Sequence, residues 1–322
     1  MTKNKYIKKV SYARVGLLGN PSDHYGGKCL SFTFDKKAEV TIEDDDKLEI
    51  DGKNHKSFNL IYDGSNDLIK AVIKNLKLQN KNFKLSYNSE IPFGAGLAGS
   101  SAISVASIKA LNEYFKLNLN DFEIAERSLY IETDQLKIST GFQDGYTVTF
   151  GGVLLMDFKG KEYIRKYPDN PYGIVKKIPV ESIPYFLCFS GESKKSSGTV
   201  HNSIREKFLN GSQEEKQQIR YYMDSIANFA EEGALALTCK QWQKLGSLMN
   251  ENKRLRDQIY QTSKKDNEVI NVANSTGALG AKLTGSGGTI VILTDETDSK
   301  NIFLKMSKIY NCYKPRIITG LA

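Results

Sequence analysis

The sequence is poor in the residues that build metal centres and disulfide frameworks. It has three histidines and four cysteines in 322 residues, and it contains neither a Cys-x-x-Cys nor a His-x-x-x-His pair. Because zinc sites depend on ligands at such spacings, a zinc centre is not expected. The cysteines are scattered at Cys29, Cys188, Cys239 and Cys312, and we expect them to be reduced packing residues.

Long apolar runs are also absent. No stretch approaches the roughly 20 consecutive apolar residues that a membrane-spanning helix needs. The basic residues 1–9 lack the apolar core of a secretory signal. We therefore expect a cytosolic protein that has no membrane partner.

Positive charge is in modest excess, since 45 Lys and Arg against 37 Asp and Glu give a net charge of +8. Such an excess suits anionic ligands, but a lysine-rich solvated surface is the simpler interpretation. No stripe of arginine and aromatic residues marks a nucleic-acid interface, so nucleic acid is not an expected partner.

The length and the prolines predict two domains. A chain of 322 residues is long enough for two domains, each with its own core. Proline disrupts both helices and sheet ladders, and four of the seven prolines lie close together at Pro168, Pro171, Pro179 and Pro184. We place the boundary there, with domains at 1–178 and 179–322.

Apolar spacing predicts a mixture of strands and helices without strict alternation, which is typical of an α+β fold. Strands are expected around residues 15–18, 40–42, 83–87, 289–293 and 313–318. Helices are expected over 66–78, 100–116, 121–132 and 297–310, with a largely helical stretch over 200–276.

A run of glycine and serine at residues 91–102, IPFGAGLAGSSA, is the most informative local feature. An alternating strand pattern precedes it, and an apolar helical pattern follows it. The free N–H groups at a helix N-terminus bind anions, and glycine lets the backbone approach them closely. The run therefore predicts a phosphate-binding loop, although a plain turn with a capping serine remains an alternative. It is not a Walker-type loop, because no Gly-Lys-Ser or Gly-Lys-Thr follows.

Three further motifs accompany this loop. They are ARVGLLGNPSDHYGG at 13–27, GFQDGYTVTFGG at 141–152 and GAKLTGSGG at 280–288. In this order the four motifs resemble the superfamily of galactokinase, homoserine kinase, mevalonate kinase and phosphomevalonate kinase, the GHMP kinases. The resemblance extends from about Arg14 to about Leu293. It implies two α+β domains with the active site in the cleft between them, and ATP and Mg²⁺ as cofactors.

Within this superfamily the sequence is most similar to sugar-1-kinases, particularly glucuronokinases. The likeness is carried by residues 14–23, 152–158, 197–205 and 248–252. It implies transfer of phosphate from ATP to the anomeric hydroxyl of a sugar, with D-glucuronate as the expected substrate. Residues 131–152 are equally similar to heptose-phosphate kinases. A heptose 7-phosphate kinase, another hexose 1-kinase and a catalytically idle sensor of a sugar or nucleotide therefore remain alternatives.

The resemblance also implies roles for residues that hold ATP and carry the reaction. Asp144, seven residues before Gly151, corresponds to the catalytic aspartate, and Arg14 corresponds to the cation beside it. Glu132 and Ser101 are the expected Mg²⁺ ligands. For Glu132 a surface helix position is the alternative, and for Asp144 a capping role is the alternative. The residues expected to bind the nucleotide phosphates are Pro92, Gly94, Gly96, Leu97, Ala98, Gly99, Ser100, Ser101 and Ala102.

The expected sugar-binding residues are spread over the chain. By the same resemblance they are Asn20, Asp23, Gly152, Arg205, Gly285, Ser286 and Gly287. For Asp23 an exposed turn is the alternative, and for the glycines at 285–288 a plain turn is the alternative. A uronic acid carries a carboxylate that needs a charged partner, for which Lys194, Lys195 and Arg205 are candidates. We favour Arg205 because a forked guanidinium matches a carboxylate, although a surface position is the alternative.

Overall fold

The computed structural model describes residues 6–138, 140–161, 171–191 and 198–319, with side chains from 203 onward in the last range. Seven strands form the first sheet, in the order β4-β3-β5-β2-β6-β7, and β1 pairs along β2. All its pairs are antiparallel except β3 with β5. The strands are β1 (Tyr6–Leu18), β2 (Lys28–Glu43), β3 (Leu48–Asp51), β4 (Lys56–Ser57), β5 (Phe83–Ser89), β6 (Val153–Asp157) and β7 (Ile174–Ile178).

Four antiparallel strands form the second sheet, in the order β11-β8-β10-β9. They are β8 (Tyr185–Phe189), β9 (Gly280–Leu283), β10 (Thr289–Leu293) and β11 (Asn311–Tyr313). The expected domain boundary falls between β7 and β8, and the division itself stays a prediction. The last segment returns to the first sheet, where Ile317 bridges to Phe34 of β2.

Helices pack on both sheets, and none of the described helices is both long enough and apolar enough to cross a bilayer. They are α1 (Asp67–Asn75), α2 (Gly99–Phe115), α3 (Asp121–Tyr130), α4 (Phe142–Phe150), α5 (Gly198–Asn210), α6 (Gln213–Thr238), α7 (Trp242–Arg256), α8 (Lys264–Ser275) and α9 (Ser299–Ser307). Two short helical turns matter for the site: a 3₁₀ helix at Ser22–Tyr25 and a π-helical turn at Ile131–Gln135.

The α+β prediction is confirmed. The expected elements differ from the observed ones at their ends, and β3, β4, β7, β9 and α4 were not expected. The strand expected over 313–318 is β11, which covers only Asn311–Tyr313. The strand expected around 15–18 is the end of β1, which begins at Tyr6. The first half of β1 carries lysines on a partly exposed edge, so its apolar alternation is weak.

The expectation that all four cysteines are reduced is wrong for one pair. β8 and β11 are neighbours whose register sets Cys188 directly opposite Cys312, and the structure joins the two by a disulfide. Their Cα atoms are 4.3 Å apart and 124 residues separate them in sequence. Spacing could not reveal the pair because it arises from strand pairing. Cys29 and Cys239 are free.

Candidate active site

Arg14 on β1 belongs to the first sequence motif and contacts residues of the other three. Its guanidinium donates from Nε to Asp144 Oδ1 at 2.7 Å, and Nη2 lies 2.6 Å from the same oxygen. Nη1 donates to the carbonyls of Gly96 and Thr284, each at 2.9 Å. Arg14 therefore joins the predicted catalytic aspartate, the glycine loop and the second glycine run at one point.

Asp144 is placed where a carboxylate is stabilised and can still reach a ligand. It lies in the first turn of α4, where the helix dipole favours negative charge. Its Oδ1 faces Arg14, and its Oδ2 accepts from Thr140 Oγ1 at 3.1 Å. Its side chain keeps 15% of its surface exposed, against 4% for Arg14. The residue at the N-cap of α4 is Gly141, so Asp144 does not cap the helix.

The glycine loop places the N-terminus of α2 beside Arg14 and Asp144. α2 begins at Gly99, and its N-cap residue is Ala98, whose methyl side chain cannot accept a hydrogen bond. The capping serine of the plain-turn alternative is therefore not what begins this helix. The first-turn N–H groups and the helix dipole can bind an anion here. Leu97 accepts from the backbone N–H of Arg14 at 3.1 Å, which fixes the loop beside the arginine.

The second glycine run packs backbone to backbone on this loop. A Cβ on Gly285 would lie 2.7 Å from Gly96 O, and one on Gly96 would lie 2.8 Å from Gly287 O. The backbone nitrogen of Ser286 would lie 3.5 Å from the same Cβ on Gly96. Thr284 Oγ1 also donates to Gly96 O at 3.0 Å. Only glycine allows this approach, because any side chain would separate the two loops.

We expect Gly96→Ala to disrupt this contact more than Gly94→Ala does. Both glycines have positive φ, +68° and +69°, so both substitutions carry similar backbone strain. Only the alanine at 96 meets backbone atoms, and such overpacking costs about 1–3 kcal/mol more. Thermal unfolding and the KM for ATP of the two variants measure the difference. Equal values would contradict the proposed role of this contact.

Glu132 lies beneath the N-terminus of α2. It is fully buried on the π-helical turn, so the alternative of a surface glutamate is wrong. Oε2 accepts from Ser101 Oγ at 2.7 Å, and the hydroxyl of Ser100 is a second hydrogen-bond donor. Within the described ranges Oε1 has no partner. Burial raises the pKa of Glu132 to about 7.

These oxygens fit a magnesium ion held together with a nucleotide. Hard Mg²⁺ prefers oxygen ligands and usually takes one or two carboxylates along with phosphates and water. The unpartnered buried oxygen of Glu132 and the hydroxyl of Ser101 are donors of this kind. The described part of the chain has no group of three or more His, Cys, Asp or Glu suited to a metal.

Asp23 lies at the same end of α4 as Asp144. It is completely buried in the 3₁₀ helix, so the exposed-turn alternative is wrong. Its Oδ2 accepts from the backbone N–H of Gln143 at 3.1 Å, and Oδ1 has no partner among the described residues. Burial raises the pKa of Asp23. A Cβ at Gly141 would lie 2.1 Å from Oδ2, so glycine is needed there.

Asn20 is fixed by two residues that sequence reasoning did not single out. Its Oδ1 accepts from Lys282 Nζ at 2.7 Å, and its carbonyl accepts from Asn252 Nδ2 at 3.1 Å. Asn252 Oδ1 in turn accepts from the N–H of Gly19 at 2.9 Å. Both residues lie inside segments that carry the family resemblance, 248–252 and 280–288, and this was their only signal. The loop that begins at Gly19 is therefore fastened to α7 and β9.

Lys282 gives the unfolding free energy a measurable pH dependence. Burial lowers the pKa of Lys282 to about 7, and the charge of Arg256 contributes, whereas an unfolded lysine titrates near pH 10.4. Between these values the unfolded chain binds the proton and the folded chain does not. The free energy of unfolding therefore rises with pH in this window, by up to about 1.4 kcal/mol per unit. Below about pH 7 the folded chain also holds the proton, and the destabilisation caused by the buried charge of Lys282 has its full size.

We expect Lys282→Met to remove most of this rise. Urea unfolding between about pH 7 and 9.5 measures it, and Lys244→Met, at a lysine whose side chain is half exposed, is the control. If the slope of Lys282→Met matched that of the parent protein, the lysine would titrate normally in the folded state.

The structure does not bring every expected residue to this cluster. Arg205 is exposed on α5. Gly152 follows the opposite end of α4 from Asp144 and donates its N–H to Thr33 Oγ1 at 2.8 Å. Lys194 and Lys195 lie outside the described residues. The roles of all four stay predictions.

Comparisons with known proteins show the family of this chain. Residues 67–152 match the family "GHMP kinases N terminal domain", and residues 226–312 match "GHMP kinases C terminal". A relative named "Probable glucuronokinase 2" from Arabidopsis thaliana is 33% identical over 92% of this chain and 87% of its own. The D-glycero-alpha-D-manno-heptose 7-phosphate kinase of Campylobacter jejuni is 26% identical over 94% of each chain.

A solved structure supports the fold. The crystal structure of a D-glycero-D-manno-heptose 1-phosphate kinase from Bacteriodes thetaiotaomicron superposes with a TM-score of 0.76 at 24% identity. The match covers 98% of this chain and 97% of that one. With two domain matches, a relative above 30% identity along most of the chain and this shared fold, the protein belongs to the GHMP kinase family.

Proposed function

We propose that the protein is an ATP- and Mg²⁺-dependent kinase that phosphorylates the anomeric hydroxyl of D-glucuronate. The observation that carries the proposal is the single guanidinium of Arg14, which contacts both the carboxylate of Asp144 and the carbonyl of Gly96 in the glycine loop. A kinase needs its acceptor-activating group and its phosphate-binding loop within the length of one substrate.

The proposed reaction uses the residues of this cluster in distinct ways. N–H groups at the start of α2, those of Ser100 and Ser101 among them, hold the nucleotide phosphates. Asp144 orients the sugar hydroxyl toward the terminal phosphorus and accepts its proton as the new P–O bond forms, while the bond from that phosphorus to the bridging oxygen breaks and ADP leaves. Little proton removal is needed in advance, because the transition state of phosphoryl transfer is loose. Arg14 stays protonated, holds Asp144 in position and offsets negative charge on the transferred group.

Glu132 and Ser101 would hold the metal ion. Bound there with the nucleotide, Mg²⁺ supplies charge neutralisation on the β- and γ-phosphates. The buried Glu132 also has to be ionised for this role, and the hydroxyls of Ser100 and Ser101 favour its charged form.

The choice of sugar rests on the relatives and on the loop after Gly19. The relative with 33% identity is a glucuronokinase by name, and Asn20 and Asp23 offer oxygen and amide groups for ring hydroxyls. The second candidate is a heptose 7-phosphate kinase, since that relative matches 94% of the chain. Both candidates share an acidic sugar substrate.

A panel of acceptors tests the proposal. ATP consumption is measured with D-glucuronate, D-galacturonate, D-glucose and a heptose 7-phosphate, and ³¹P NMR locates the new phosphate. We expect D-glucuronate to give the highest kcat/KM and a product phosphorylated at the anomeric oxygen. Phosphorylation of the heptose alone would select the second candidate, and no turnover with any sugar would refute the kinase proposal.

A further inference from the structure

A buried arginine lies beside the loop that carries Asn20 and Asp23. Arg256 ends α7, one helical turn beyond Asn252. Residues four apart share one face of a helix, and helical side chains lean toward the N-terminus. Arg256 therefore lies on the same face of α7 as Asn252, which holds Gly19 and Asn20 there.

Tyr260 packs against this guanidinium and, through Tyr25, connects it with the same loop. The ring of Tyr260 lies 5.3 Å from the Arg256 guanidinium carbon. The hydroxyls of Tyr260 and Tyr25 are 3.2 Å apart, and Tyr25 comes two residues after Asp23. Arg256 is only 3% exposed. It is thus a buried cation adjoining the predicted sugar-binding loop.

The charge of Arg256 is balanced only in part: the carboxylates of Asp257 and Asp266 favour its charged form, but neither makes a close ion pair with it. The hydrogen bond recorded for its guanidinium runs from Nη1 to Thr262 Oγ1, at 3.1 Å. The one carboxylate oxygen within 4.0 Å in the described ranges belongs to Asp257, at 3.8 Å. That carboxylate also accepts from Thr262 at 2.6 Å and pairs with Lys253 at 2.5 Å. A guanidinium has five N–H donors, so most of its capacity remains for a ligand.

A second buried basic side chain lies at the same loop. Lys282 is 1% exposed, and its ammonium donates to Asn20 Oδ1, Leu283 O and Gly16 O. Burial lowers the pKa of Arg256 as well as that of Lys282. Buried cations without counterions cost free energy, and an incoming anion would offset this cost. Lys282 already uses its three donors, whereas Arg256 does not.

We propose that Arg256 binds the carboxylate of the uronic acid substrate and that Lys282 positions Asn20 beside it. This inference rests on the proposed function and names the group that selects an acidic sugar over a neutral one. A forked guanidinium offers two parallel N–H groups to a planar carboxylate. The assignment replaces Arg205, which lies exposed on α5.

Kinetics of Arg256→Gln and Arg256→Lys with D-glucuronate and D-glucose test the proposal. Glucose carries a neutral CH₂OH where glucuronate carries its carboxylate. We expect Arg256→Gln to raise the KM for glucuronate about 10²-fold, the size of a lost charge-assisted pair. The KM for ATP and the kcat/KM for glucose should stay within about threefold of the parent values. Arg256→Lys keeps the charge but loses the forked guanidinium, so its KM for glucuronate should lie between those of the parent protein and of Arg256→Gln.

Two other arginines provide matched controls. Arg254→Gln removes an arginine from the same helix whose side chain is 61% exposed, and it should leave both sugars unaffected. Arg205→Gln tests the competing residue. If it raised the KM for glucuronate selectively while Arg256→Gln did not, the proposal would be overturned.

The remaining outcomes separate this inference from the proposed function. Equal losses for glucuronate and glucose in both Arg256 variants would make Arg256 a structural residue and overturn the proposal. A parent enzyme that prefers glucose would overturn it too. If the parent turns over no sugar, the kinase proposal fails, and calorimetric titration with glucuronate decides the inference. If the parent protein binds glucuronate and Arg256→Gln does not, the inference about Arg256 is supported. If the parent protein does not bind glucuronate, the inference is overturned.

Discussion

Asp144→Asn should lower kcat about 10³-fold, within the range that a positioned general base contributes. Asparagine preserves the shape of the side chain but has no negative charge with which to accept the proton of a sugar hydroxyl. It also leaves the buried Arg14 guanidinium facing a neutral amide oxygen in place of the carboxylate oxygen that lies 2.6 Å from Nη2. Because the phosphate loop is untouched, the KM for ATP should change by no more than about threefold. Steady-state kinetics with saturating sugar measure both constants.

The partner of Asp144 provides a sharper form of this test. Arg14 and Asp144 form one buried pair, so their substitutions should not be additive. In a cycle of Asp144→Asn, Arg14→Met and the double variant, the double variant should lose less activity than the product of the single losses. Asp224→Asn, on the exposed face of α6, is the control. Near-parental turnover by Asp144→Asn would remove the aspartate from the mechanism.

Local pattern was enough to predict the strand before the glycine loop and the helix after it. The strand before the loop and the apolar face after it depend on residues within a few positions of one another. The structure places β5 at Phe83–Ser89 and α2 at Gly99–Phe115, close to the expected bounds. The meeting of Arg14 with Asp144 is different, because 130 residues separate them. That pairing was available only through the family resemblance.

The rest of the site depends on contacts that no local pattern encodes. Lys282 reaches Asn20 across 262 positions because β9 lies beside the end of β1. In the sequence, Arg256 is one of several basic residues near the end of an amphipathic helix. Only the structure, in which it packs against Tyr260, identifies it as buried. Arg205 illustrates the converse, since its charge and motif suggested a ligand role while its position on α5 is exposed. Burial, rather than residue type, distinguishes the two arginines.

Glu132 is the second residue whose substitution should have a large effect, because its carboxylate is buried beside the expected metal position. Glu132→Gln should lower kcat/KM for ATP about 10²-fold and raise the Mg²⁺ concentration needed for half-maximal rate, because a neutral amide is a far weaker Mg²⁺ ligand than a carboxylate. Binding of ATP without metal should be little affected. The first-turn N–H groups of α2 are unchanged, so the glycine loop keeps its donors.

Stability separates a metal-binding role for Glu132 from a structural one. A buried carboxylate whose Oε1 lacks a partner among the described residues destabilises the folded chain without metal. The Tm of Glu132→Gln measured without Mg²⁺ should therefore equal or exceed that of the parent, even though activity falls. Added Mg²⁺ and nucleotide together should raise the Tm of the parent more than that of the variant, since only a ligand bound to the folded state shifts it. Asp134→Asn, on the exposed side of the same turn, should behave as the parent does in every measurement. A variant at 132 that unfolds earlier yet keeps the parental Mg²⁺ dependence would make Glu132 a structural residue, and the metal would then have to lie elsewhere.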